Sequence, residues 1–107
     1  MKIPKSQKPR VHELISHCEK YQGEYLPNTH GSGSWATTYS REFIYSAAEL
    51  FMILEKLNSP CPIDDLSKLF MENKIPSCRG AKMTTERVEY LYKRHLRLVI
   101  GNELKGY

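Results

Sequence analysis

The chain has 107 residues, 40% of them hydrophobic and 26% charged, which is the composition of one small globular domain rather than of a disordered chain. Its 16 Lys/Arg against 12 Asp/Glu leave a net charge of +4, and no apolar run approaches the roughly 20 residues that span a bilayer. With no signal-like hydrophobic region after the basic start, the expectation is a cytoplasmic protein with no membrane partner.

The positive charge gathers at the two ends. Residues 1–22 carry five Lys/Arg against two Glu, and residues 81–107 carry six against three, around a middle with a slight acidic excess. Such asymmetry suits a polyanionic partner. The three cysteines, Cys18, Cys61 and Cys78, are widely spaced and odd in number, so they read as free thiols rather than as a disulfide framework.

Met1 to Arg10 holds two prolines and four cations and predicts a flexible basic arm, which either follows a phosphate backbone or only keeps the chain soluble. Val11, Leu14, Ile15 and Cys18, with Tyr21 completing the row, have helical spacing and predict one buried face. Gly23 to Thr38, with Gly23, Pro27, Gly31 and Gly33, shows no periodicity and predicts a long loop with a short extended piece near Tyr25 and Leu26.

Ser40 to Leu57 predicts the central helix. Ser40 is a good N-cap, Tyr39 and Ile44 stand at the positions of a hydrophobic staple, and Phe43, Ala47, Ala48, Phe51 and Leu54 form an apolar stripe. Leu50, Met52 and Ile53 extend the apolar surface around the helix, which predicts either a core element or a homodimer interface through helix 40–57. Asn58 to Pro62 is a stop and restart. Ile63, Leu66, Leu69 and Phe70 then predict a short helix, with Asp64 and Asp65 at its positive end.

Asn73 to Met83 is a connection in which Gly80 is available for a left-handed backbone position. Thr84 caps the last predicted helix, with Met83 and Val88 as a second staple and Val88, Leu91, Tyr92, His95 and Val99 as its buried row. Gly101 and Asn102 are expected to end it. On an unbroken α-helix, Arg87, Tyr90, Arg94 and Arg97 then share one outer stripe, with Lys93 beside them. Guanidinium groups in such a row grip phosphates or reach guanine edges. Thr84 and Thr85 at the helix start offer N–H groups to a phosphate. Glu86 and Glu89 favour helix formation and oppose phosphate; a solvated charged face is the alternative reading of the same pattern.

Ile75, Pro76, Ser77, Arg79 and Gly80, followed by Thr84 and Val88, resemble the DNA-binding "recombinase" domain of large serine recombinases, which has an Ile-Pro-Thr-Pro-Arg-Gly-like turn between two helices. The resemblance spans about Leu57 to Tyr92. Asn73-Lys74 stands where that family has Arg/Asn-Gly, and Met83 stands where it has tryptophan. It implies a DNA-docking module of a phage or other mobile element without strand-exchange chemistry, with Arg79, Gly80 and Thr84 as the residues carried over.

Other constellations are weaker. His12 and His17 are five apart rather than the four that align ligands on a helix face, so no metal site is expected from His12, His17, Cys18, His30 and Cys78. His30-Gly-Ser-Gly-Ser34 lacks the Lys-Ser/Thr ending of a phosphate loop and reads as a connector. Ser32 or Ser34 with His30 lacks an orienting third group, so no enzyme chemistry is expected. Trp35 is expected to close the loop over the core.

The chain therefore reads as an all-α fold of about four helices: an arm at residues 1–10 and a single domain at 11–107, with a helix-turn-helix-like unit at about 62–99. The functional expectation is a small protein that binds double-stranded DNA without a cofactor, as a transcriptional regulator or recombination accessory factor. Arg87, Tyr90, Lys93, Arg94 and Arg97 would lie in or beside the major groove, and Arg79, Lys82 and the arm on phosphate. The alternative is a protein–protein adaptor or phage-encoded inhibitor acting through helix 40–57.

Overall fold

The structure, a computed structural model, describes residues 3–20, 24–27, 35–77 and 80–102, the two short strands by their backbone alone. Its fold is all-α with one hairpin added. Helix α1 is Lys8–Lys20, strands β1 (Glu24–Pro27) and β2 (Trp35–Thr38) pair antiparallel, and α2 is Arg41–Lys56. Helix α3 is Pro62–Glu72, and the last helix runs as α4 (Thr85–Leu91), a π turn (Tyr92–Leu96) and α5 (Arg97–Asn102).

Helix α2 is the centre of the molecule, packed against α1, α3 and the last helix. Val11, Leu14, Ile15 and Cys18 are the buried face of α1, as their spacing predicts. Phe43 stacks between Tyr39, at 4.9 Å between ring centroids, and Phe70 of α3, at 5.7 Å. Burial pushes the Cys18 thiol up to about 12, so it is an inert core atom. Cys61 is exposed and also free.

Close packing around α2 overturns one expectation. Leu50 is 0% and Ile53 7% exposed. Leu50 and Ile53, two of the residues expected to extend the apolar surface of the helix, are therefore covered by this chain's own elements. The side chains that extend the stripe are core residues because three helices, not one, lean on α2.

The N-terminal arm is a second correction. Gln7 and Lys8 donate their backbone N–H groups to Pro4 O, Ile3 packs partly buried against the core, and α1 begins at Lys8. Arg10 lies inside that helix. Its guanidinium grips both carboxylate oxygens of Glu49 on α2, with Nη2 at 2.7 Å, and reaches Glu13 at 2.6 Å. Glu49 is 9% exposed, and a buried carboxylate needs such a two-pronged partner. Composition alone suggested disorder because this pairing joins residues 39 positions apart.

The hairpin is the third. The extended piece at Tyr25 and Leu26 is present, but Leu26 pairs with Ala36 and Tyr25 with Thr37, in a strand the loop reading did not foresee. Each strand has four residues, too few for a period-two pattern to stand out. The expectations for Tyr21, Gly23, His30, Gly31, Ser32, Gly33, Ser34, Cys78 and Arg79, and for the Trp35 side chain, lie outside the described residues.

The helix boundaries follow local chemistry. Ser40 Oγ accepts from Phe43 N at 3.1 Å, as an N-cap should. Helix α2 ends with Asn58 in the left-handed region (φ 60°), Asn58 N donating to Glu55 O and Ser59 N to Leu54 O. Helix α3 ends by the same pattern: Lys74 is left-handed (φ 55°), donating to Met71 O, and Ile75 N reaches Phe70 O at 2.8 Å. Glycine is the usual residue at that position, asparagine the next. A lysine there carries a steric cost.

From Ile75 the chain crosses to the last helix. Ser77 and Ala81 bond through N–H to O at 2.7 Å, Gly80 N donates to Ser77 O, and Gly80 has φ 82°. That positive φ is the left-handed position expected of it. Ser67 Oγ donates to Met83 O at 2.8 Å in the core, and Thr84 Oγ1 caps the helix by accepting from Arg87 N. Gly101 lies in the last turn of α5, whose last residue is Asn102, the pair expected to end it.

Two substitutions test these backbone assignments with opposite signs. A left-handed lysine costs about 1–2 kcal/mol and glycine's extra chain entropy about 0.5–1. Lys74→Gly should therefore raise the urea-unfolding free energy by about 0.5–1 kcal/mol. A methyl group at Gly80 would meet nothing within 4 Å, so the same two terms apply with reversed sign, and Gly80→Ala should lower it by about 0.5–1 kcal/mol.

Candidate nucleic-acid interface

The outward face of the last helix depends on its π turn. Arg97 N donates to Tyr92 O, five residues back, which inserts one residue relative to an α-helix. Val88, Leu91 and Leu96 are the residues wholly buried, at spacings of three and five. An unbroken helix would have put His95 inward in place of Leu96, as the sequence reading expected. Instead His95 is half-buried, its ring edge-on to Tyr39 at 6.1 Å, and Val99 and Ile100 are half-buried beyond it. Tyr92 packs edge-on against Phe51 at 4.5 Å.

One inserted residue rotates every later side chain back by about 100°. The expected stripe of Arg87, Tyr90, Arg94 and Arg97 is thereby broken. Tyr90, Arg94 and Leu98 now form the outward line, with Tyr90 63% and Leu98 55% exposed. Arg97 is carried to the flank opposite Arg87. The sequence signal for this was Leu96 and Ile100, two apolar side chains out of phase with a buried row that had to include a histidine.

Arg87, on one flank, donates through Nη1 to Lys82 O at 3.0 Å, which lays it back along the connection beside exposed Lys82. Lys93, near the other flank, pairs with Glu89 at 2.8 Å. Arg94 and Arg97 are exposed and have no acceptor among the described residues. Arg79 lies outside them.

The start of the helix is occupied. Thr85 Oγ1 donates to Asp64 Oδ1 at 2.7 Å, tying α3 to α4 and placing a carboxylate beside the N–H groups that the sequence reading offered to a phosphate. Thr84 uses its hydroxyl as the cap. Asp65 on the same turn accepts from the Ser59 hydroxyl. The Thr84 hydroxyl therefore serves the helix cap and the Thr85 hydroxyl the junction with α3. Among the described residues no cluster of three metal-ligating side chains occurs, and no helix is long and apolar enough to cross a membrane.

Compared with known proteins, the chain matches no family model, no curated protein and no solved structure. The arrangement itself is a short helix braced against a longer one, the two joined by the connection from Asn73 to Thr84. The longer helix turns a tyrosine, an arginine and a leucine outward between cationic flanks.

Burial and the neighbouring Arg94 charge hold His95 below its ordinary range. The unfolded chain therefore takes up that proton first as pH falls. Stability should drop as pH is lowered through about 6.5 and level off below the folded value, and His95→Asn should flatten the drop. Urea unfolding across that pH window checks both statements.

Proposed function

We propose that the protein binds double-stranded DNA through the last helix, with α3 and the turn acting as its brace in a helix-turn-helix-like unit. The observation that carries this reading is the placement of cations on both flanks of an outward line. A helix lying in the major groove, about 12 Å wide, has a phosphate backbone on each side and base edges below. Arg87 with Lys82 serves one backbone, Arg97 with Lys93 the other. Tyr90 and Arg94 face the bases, where an arginine pairs with guanine, and Leu98 offers apolar contact to a thymine methyl. Glu86 near the helix start stands where cytosine's amino group can donate to it.

Arg94 and Arg97 have no acceptor among the described residues, which adds support, since contact with a base or phosphate through these two breaks no ion pair. The resemblance of residues 57–92 to the recombinase DNA-binding domain points the same way. It also favours a role as transcriptional regulator or recombination accessory factor of a phage or mobile element. Met83, standing in place of that family's tryptophan, is wholly buried, with its sulfur 3.5 Å from Tyr39 Oη. It holds the helix start in the core as a larger apolar residue would.

The division of labour between flank and centre is testable by fluorescence anisotropy on a panel of duplexes. Arg87→Ala and Arg97→Ala should each weaken binding to every duplex alike and reduce the salt slope by about one. Arg94→Ala should cost about 1–3 kcal/mol on the preferred sequence and relax preference there. An Arg94→Glu/Arg97→Glu double variant that folds and keeps full DNA affinity would refute the assignment.

A further inference from the structure

A second surface, which shares Lys82 with one flank of the cationic face, is an apolar pocket. A cavity of about 360 Å³ opens between the end of α3 and the connection that follows it. Its apolar walls are Met71, Ile75, Pro76 and Met83, and Lys74 and Lys82 stand at it. Ile75 and Met83 are core residues that form the floor, while Met71 is 44% exposed. Methionine is unbranched and polarizable, and surfaces built from it adapt to varied apolar side chains.

Lys74 supplies an independent observation. It occupies a left-handed position, φ 55°, where glycine would relieve strain. The nearby acid does not neutralise it across the pocket: Glu72 lines a different, smaller cavity with Ile3 and Lys68. The chain thus keeps a costly cation beside an open apolar hollow.

We propose that this pocket takes a partner protein's short segment in which one large apolar side chain is flanked by carboxylates. The apolar side chain fills the space between Met71 and Met83, and the flanking acids meet Lys74 and Lys82. Charge complementarity with Lys74 and Lys82 selects this occupant over a basic segment, and the apolar walls select a large apolar side chain at its centre. The inference does not rest on DNA binding, because Lys74 and Met71 belong to no part of that face, and Lys82, which the two surfaces share, is left unchanged in the test.

The test uses the full chain, labelled with nitrogen-15, and an acetylated, amidated peptide Glu-Asp-Phe-Glu-Asp, with Lys-Lys-Phe-Lys-Lys as control. Saturable amide shifts centred on Met71, Ile75 and Met83, with the acidic peptide alone, are the expected result. Lys74→Glu should weaken the acidic peptide about tenfold, and Lys74→Gly about threefold while stabilising the fold. That combination cannot come from unfolding. Shifts elsewhere, equal binding of the control peptide, an unchanged affinity in Lys74→Glu, or no binding at all would overturn the proposal. So would pocket shifts that grow with protein concentration in the absence of peptide, since the occupant would then be a second copy of the chain.

Discussion

Leu96 must reach the core five residues after Leu91, and the last helix manages this only by widening one turn. Everything at the candidate interface follows from that constraint. The π turn satisfies the core by bringing Val88, Leu91 and Leu96 into one buried row. It costs one well-formed α-helical turn and leaves His95 half in and half out, with its imidazole against Tyr39. The outer face receives the same rotation. An unbroken helix would stack three arginines on one side; the widened one separates Arg87 from Arg97 and sets Tyr90, Arg94 and Leu98 between them. Core packing and surface chemistry are thus two results of one inserted residue, which agrees with the frequency of such turns at functional sites.

The interface also depends on how firmly the last helix is held against α3. Four contacts do this: Ser67 Oγ to Met83 O, Thr85 Oγ1 to Asp64, the Ser77–Ala81 pair, and the burial of Ile75 and Met83. The first two run from side chains of α3 or α4 across sequence gaps of 16 and 21 residues, so they fix the angle between the helices rather than either helix alone. Rigid support of this kind allows a helix to meet a groove without paying further ordering entropy. The Asp64 carboxylate at the start of α4 has a second effect. It keeps anions away from that end and leaves the cations of the later turns as the attractive part of the face.

Local chemistry was legible in the sequence. The row on α1, the caps at Ser40 and Thr84, the breaks at Asn58 and Pro62, and the left-handed Gly80 each depend on a few neighbouring residues, and each stands where its pattern placed it. What could not be read depends on distant partners. Arg10 looks like one more cation in a loose arm until Glu49 meets it from α2. Leu50 and Ile53 look like a free apolar surface until α1, α3 and the last helix are packed around α2. The π turn was hidden because helical periodicity was extended through residues 92–96 unbroken, which assigned the inward place to His95 and the outer stripe to Arg97. On the last helix, Tyr90, Lys93, Arg94 and Arg97 are exposed as their pattern expected, but the register after Leu91 differs.

The central claim is that cations on both flanks of the last helix neutralise phosphates on two strands. Fluorescence anisotropy of a random-sequence duplex, titrated with protein at several salt concentrations, tests it most directly. The account predicts binding that weakens steeply with salt, with a log–log slope of about −3 to −4 for the four or so phosphates in reach. Binding that ignores salt, or none at the lowest ionic strength, would contradict it.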